Sequence, residues 1–130
     1  MKLETSWKPV QTTPDQVFAF LSDMNNLKKL MPEQVINWTS DTDTCQFTIK
    51  GMADLGMKVV ERNEHTSIKM SSHGKVPFPF TLTVGIRPLD AISEAQLVFD
   101  GEVNPFLKMM VEKPLGNFFN MLLDGLGRQF

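Results

Sequence analysis

The chain ends with the stretch that decides its fold: Asn104–Phe130, NPFLKMMVEKPLGNFFNMLLDGLGRQF. Asparagine followed by proline is typical of a helix start, because the asparagine side chain caps free backbone N–H groups and proline fits the first turn. A helix from Pro105 to Phe130 would span roughly 39 Å. Its residues leave little polar surface, so we expect a long helix covered over more than one stripe. Pro114 cannot donate to the carbonyl of Met110, which predicts a kink.

The middle of the chain has the two-residue period of half-buried strands. The period places Cys45, Phe47 and Ile49 on one face of a predicted strand at 44–50, and it predicts the strand before it at Val35–Thr39. The same alternation predicts strands around 57–62, 67–73, 80–86 and 96–103, with a loop or irregular edge at 51–56. Short polar turns between these segments favour antiparallel pairing.

The beginning of the chain predicts one further strand and two short helices. Leu3, Thr5 and Trp7 alternate with polar and charged residues, as in a half-buried strand. Thr13-Pro14-Asp15 combines a cap hydroxyl, a proline and an early acid, which favours a helix start. A second short helix around 26–31 would stop before Pro32.

The order of these elements predicts an α+β fold. We expect an antiparallel curved sheet of about six to seven strands wrapped around the long C-terminal helix, with two short helices after strand 1. The chain has 130 residues, so residues 1–130 are expected to form a single domain, either a monomer or a weak homodimer.

Composition excludes several classes of function. One cysteine and two histidines cannot build a disulfide framework or a Cys/His zinc site. A net charge of −2, with no basic run longer than Lys28-Lys29, argues against nucleic-acid binding. The start of the chain is charged and no apolar run is long enough to span a bilayer, which predicts a cytoplasmic protein without integral membrane association.

The whole chain resembles the helix-grip superfamily, the START-related, polyketide-cyclase-like proteins grouped as SRPBCC. The resemblance rests on the opening strand followed by residues 13–21, TPDQVFAFL, and on Asn104-Pro105-Phe106-Leu107 leading into a long apolar helix. In that family the C-terminal helix roofs an elongated, mainly apolar cavity in the sheet. The resemblance implies binding or carrying of a small hydrophobic ligand, such as a lipid, an isoprenoid or an aromatic polyketide-like compound, and we expect no cofactor and no metal.

Candidate ligand-binding residues are the inward strand positions and the Met and Phe residues of the long helix. Flexible thioethers adapt to irregular apolar shapes, and Thr5 and Ser72 would supply polar contacts. The predicted set is Thr5, Trp7, Trp38, Phe47, Met70, Ser72, Leu82, Val84, Leu97, Phe99, Phe106, Met110, Phe118 and Met121. The same side chains would equally fill a solid core, and the sequence leaves both interpretations open.

No catalytic set of residues is visible, although two other hypotheses stay open. The chain has no tyrosine, and its inward strand positions hold no titratable acid or base, which acid–base catalysis needs. A cyclase or dehydratase would need Glu61 or His73 to face the cavity. Cys45 is expected to be a buried, inert thiol. The third hypothesis is a protein-interaction module in which part of the Phe- and Met-rich helix docks a partner.

Overall fold

The computed structural model describes residues Met1–Phe130, which form eight strands and three α-helices. Two strands, β1 (Lys2–Glu4) and β2 (Lys8–Val10), precede the short helices α1 (Pro14–Leu21) and α2 (Met24–Leu27) and a 3-10 turn at Lys28–Leu30. The remaining elements are β3 (Val35–Ser40), β4 (Thr44–Ile49), β5 (Ala53–Asn63), β6 (Ser67–Ser72), β7 (Phe80–Leu89), β8 (Ile92–Gly101) and α3 (Pro105–Gln129).

All the strands belong to one antiparallel sheet in the order β1-β8-β7-β6-β5-β4-β3, and β2 also pairs with β8. One face of the sheet is apolar because its strands alternate; in β7, Leu82 and Val84 are buried, whereas Thr83 is only partly so. Helix α3 covers this face with residues at helical spacing, such as Leu115, Phe118 and Leu122. The predicted α+β fold is therefore confirmed.

Helix α3 begins where the sequence predicts. The side-chain oxygen of Asn104 accepts a hydrogen bond from the backbone N–H of Leu107 at 2.9 Å, and the helix continues without interruption through Pro114 to Gln129. Helix α1 begins after Thr13, whose hydroxyl makes no capping bond to the helix backbone. None of these helices combines the length and apolarity needed to cross a bilayer.

The opening strand is split, which corrects the prediction for Trp7. Leu3 pairs with Phe99 in β1, whereas Lys8 pairs with Ala95 in β2, so the register shifts by one residue between them. A one-residue shift moves every later side chain to the other face. The indole of Trp7 therefore lies on the outer face of the sheet, where the Arg87 guanidinium is 3.9 Å from its ring centroid, and it lines no part of the interior.

Strand β5 begins within the segment predicted to be a loop or irregular edge, and that prediction is wrong from residue 53 onward. Gly56 pairs with Gln46 inside the ladder, and a Cβ on Gly56 would lie 2.0 Å from the carbonyl oxygen of His73. The glycine is needed for this close approach and does not mark a turn. Because the opening strand is split into β1 and β2, the two short helices follow the second strand of the chain and not the first.

Candidate ligand-binding site

A small cavity between the buried face of the sheet and α3 is surrounded only by apolar side chains. We call it the inner cavity. Its volume is about 30 Å³, room for about two water-sized groups, whereas sites for drug-sized ligands occupy about 300–1,000 Å³. The lining residues are Leu21, Leu27, Leu30, Met57, Met70, Leu82, Val84, Leu97, Leu122, Leu123 and Leu126. A larger guest would require these side chains or α3 to move.

Four predicted ligand-binding residues, Met70, Leu82, Val84 and Leu97, are among the eleven that line the inner cavity. The others come from α1, α2, the 3-10 turn, β5 and the end of α3, and they were not predicted. Leu21 is buried on the same side of α1 as Val17. The sequence contains no local signal, however, that the short helices meet the end of α3.

An aromatic cluster fills another part of the interface between the sheet and α3. Phe47 is stacked on Trp38 with ring centroids 5.2 Å apart, and its ring lies 6.1 Å from that of Phe118. The cluster consists of Trp38, Phe47, Phe78, Phe80, Phe99, Phe118 and Phe119. Phe47 and Phe99 are each only 1% exposed. These predicted ligand-binding residues therefore pack against other aromatic rings as solid core.

An open groove lies between the middle of α3 and the turn from β4 to β5. We call it the α3 groove. Its volume is about 380 Å³, and Met110, Phe118 and Met121 from the predicted set line it together with Met52. Lys50 also borders the groove, so its lining is mixed. The groove brings together the predicted methionines that the inner cavity does not contain.

The first turns of α3 present apolar side chains to solvent. Phe106 is 71% exposed, Met109 is 86% exposed and Met110 is 59% exposed. These residues lie on the side of the helix opposite Leu115, which is fully buried. We call the three residues the outer patch. Phe106, a predicted ligand-binding residue, therefore lies outside the sheet–helix interface.

The two predicted polar contacts are engaged with the backbone. The Thr5 hydroxyl accepts from the N–H of Leu97 at 3.0 Å and donates to the carbonyl of Ser6. The Ser72 hydroxyl accepts from the N–H of Phe80 at 3.1 Å. Both satisfy backbone groups at irregular places in the sheet, and neither lines the inner cavity.

Neither acid–base candidate faces the interior. The pairing of β5 with β6 is irregular between Val59 and Glu61, which interrupts the alternation that would have carried Glu61 inward, and its side chain is exposed. His73 is also exposed. Cys45 is 2% exposed, and burial raises the pKa of its thiol to about 12. The cyclase or dehydratase hypothesis therefore has neither proposed residue on the inner face.

An antiparallel sheet that grips one long C-terminal helix over an apolar interior defines the helix-grip class of ligand-binding folds. The family model described as "Polyketide cyclase / dehydrase and lipid transport" matches residues 2–130. The chain therefore belongs to this family, and the resemblance inferred from its sequence is confirmed. A comparison with curated proteins found no match.

Solved structures from several bacteria share the fold. A START superfamily protein from Mycobacterium smegmatis is 16% identical with a TM-score of 0.77, over 98% of this chain and 95% of that one. Protein CV1439 from Chromobacterium violaceum is 16% identical with a TM-score of 0.74, over 99% and 96%. The protein XoxI from Bacillus cereus is 14% identical with a TM-score of 0.75, over 99% and 94%. These likenesses extend to the fold alone.

Proposed function

We propose that this protein binds a small hydrophobic molecule between the sheet and α3. The observation that carries the proposal is the inner cavity, whose eleven lining residues are all apolar. Each methylene buried there would contribute about 0.8 kcal/mol, so an apolar guest needs no charged anchor for useful affinity. Membership of a family that includes lipid transport supports the same reading.

A guest larger than a few atoms must enlarge the inner cavity. Met57 and Met70 both line it, and their unbranched thioether side chains repack more easily than branched ones. Leu30 comes from the short 3-10 turn, which is a smaller element than the sheet or α3. Binding is therefore expected to repack one wall of the cavity while the sheet keeps its register.

Native mass spectrometry of freshly purified protein, beside an organic extract, tests the proposal. A reproducible additional mass that is removed by apolar solvent, or one acquired from a panel of fatty acids, isoprenoids and aromatic compounds, is the expected result. A clean mass that no member of the panel changes would contradict hydrophobic ligand binding.

A pair of variants on adjacent residues of β7 locates the bound molecule. Val84→Phe places an aromatic ring in the inner cavity, whereas Thr83→Phe introduces the same ring on the outer face. We expect loss of binding only with Val84→Phe. Overpacking costs about 1–3 kcal/mol, so circular dichroism checks folding, and Val84→Ile serves as a smaller substitution if needed. Undiminished binding by a folded Val84→Phe variant would place the ligand elsewhere.

The outer patch favours a second candidate function, a protein-interaction module. Phe106 and Met109 stand in solvent, and apolar side chains grouped in this way often mark a contact surface. A weak homodimer through this patch would show concentration-dependent sedimentation that Phe106→Ser abolishes. Monomeric behaviour of the unmodified protein at the highest attainable concentration would contradict self-association.

A further inference from the structure

A second pocket lies outside the inner cavity, between the 3-10 turn and the last turns of α3, with a volume of about 270 Å³. We call it the basic pocket. Lys29 borders it from the 3-10 turn, and Arg128 and Asp124 border it from α3. The inner cavity has no polar lining, and the α3 groove has a single charged residue, Lys50.

The two cations of the basic pocket lack carboxylate partners. Neither Lys29 nor Arg128 forms a salt bridge with any acidic group of the chain. Asp124 is the pocket's one acidic residue, and its carboxylate is paired at 2.9 Å with the ammonium of Lys8. The Lys29 ammonium lies 5.8 Å from the centroid of the Phe20 ring, so its side-chain partner is aromatic and not acidic. The basic pocket therefore carries positive charge that no carboxylate pairs with, and Lys or Arg donors bind carboxylates and phosphates through charge-assisted hydrogen bonds.

The basic pocket and the inner cavity share one wall. Leu30 lines both of them, and its backbone lies against Gly125 of α3. Met121 likewise borders both the basic pocket and the α3 groove. An apolar chain that passed Leu30 from the inner cavity, or Met121 from the α3 groove, would have one end next to Lys29 and Arg128.

We propose that the hydrophobic ligand is an amphipathic carboxylate, with its apolar chain in the inner cavity and its anionic end in the basic pocket. This inference rests on the proposed function and adds a site for the charged group. Movement of the Leu30 side chain opens the shared wall, and the carboxylate then lies within reach of the Lys29 ammonium and the Arg128 guanidinium.

Calorimetric titration with two probes of equal chain length, dodecanoate and dodecanol, separates the charged contact from the apolar one. We expect the unmodified protein to bind dodecanoate about tenfold more tightly than dodecanol. Only the carboxylate forms ion pairs with Lys29 and Arg128, and two such solvent-exposed pairs together account for a difference of this size. Lys29→Gln/Arg128→Gln should remove this preference and leave dodecanol binding unchanged. Lys58→Gln/Lys75→Gln, which removes two exposed lysines outside the basic pocket, is the matched control.

The outcomes distinguish this inference from the proposed function. Equal affinity for both probes, or dodecanol binding alone, would overturn the carboxylate site while supporting a hydrophobic pocket. A preference for dodecanoate that survives Lys29→Gln/Arg128→Gln would also overturn it, because the anion would lie elsewhere. Failure to bind either probe would overturn this inference, and it would contradict the proposed function only if the panel of fatty acids, isoprenoids and aromatic compounds also leaves the native mass unchanged. Raised salt should weaken only the dodecanoate complex, since screening acts on the charged contact.

Discussion

Gly125 allows α3 to approach the backbone of the 3-10 turn, and replacing it with alanine tests that contact directly. An added Cβ would lie 2.9 Å from the carbonyl oxygen of Leu30 and 3.2 Å from its Cα. Because both are backbone atoms, no side-chain rotation can relieve the overlap, and α3 or the turn must shift. Gly116, in the same helix, has nothing within 4 Å of its Cβ position and provides the matched control.

The two substitutions should have different effects on the free energy of unfolding. Alanine is favoured over glycine inside a helix by about 1 kcal/mol, so Gly116→Ala should raise the free energy of unfolding by about that amount. Gly125→Ala gains the same helix propensity but adds an overpacking cost of about 1–3 kcal/mol. The propensity gain cancels between the variants, so Gly125→Ala should be about 1–3 kcal/mol less stable than Gly116→Ala.

Urea unfolding followed by far-ultraviolet circular dichroism measures both free energies, and unchanged m-values confirm that each variant unfolds from a comparably compact state. The Gly125→Ala variant should also take up dodecanoate faster, because a displaced 3-10 turn weakens the wall that Leu30 forms. If Gly125→Ala stabilises the protein as much as Gly116→Ala, then α3 does not rest on the turn, and the proposed route past Leu30 is refuted.

Two further predictions concern titratable groups outside the basic pocket. The Cys45 thiol should not react with a disulfide reagent at about pH 8 until the protein unfolds, because burial raises its pKa to about 12; rapid reaction of the folded protein would contradict this. Backbone N–H groups of Asp43 and Thr44 donate to the Asp41 carboxylate and lower its pKa below 3.8. The stability that this carboxylate contributes is complete above pH 3.8 and is lost as the pH falls through the lowered pKa. In a plot of the urea midpoint of unfolding against pH, Asp41→Asn should therefore reduce the fall on the acid side. An unchanged fall would show that other groups account for it.

The main elements were predictable because their signals are local. The Asn104-Pro105 pair marks the start of α3, and the side chain of Asn104 does cap the helix at Leu107. The alternation of Leu82 and Val84 with threonines likewise predicts the face that β7 buries. Caps and periods depend on neighbours a few residues away, so a single sequence contains the information needed to recognise them.

Errors arose where a distant contact changed the local pattern. Trp7 continues the alternation of Leu3 and Thr5, yet the register shift against β8 turns it outward over the β7 backbone at Gly85. Gly56 has the local character of a turn residue. It is required in the strand because a Cβ at this position would overlap the Gln46 side chain on the outer face of the sheet. Each position depends on a strand partner that the sequence does not name.

The candidate site was harder to predict because the same apolar residue types form both a solid core and the lining of a cavity. Phe47 and Leu97 are both inward strand residues, but Phe47 packs into the aromatic cluster whereas Leu97 lines the inner cavity. How tightly the buried side chains pack decides whether the interior is filled or hollow, and the period of a strand does not show this.

The wall between the inner cavity and the basic pocket depends on a contact between residues that are still further apart in the sequence. Leu30 and Gly125 belong to opposite ends of the chain, and each is unremarkable in its own segment: a leucine in a short turn and a glycine in a long helix. Their contact places apolar lining on one side of Leu30 and the unpaired charges of Lys29 and Arg128 on the other. The proposed binding site for an amphipathic anion therefore depends on the tertiary contact between these elements, which no local motif in the sequence encodes.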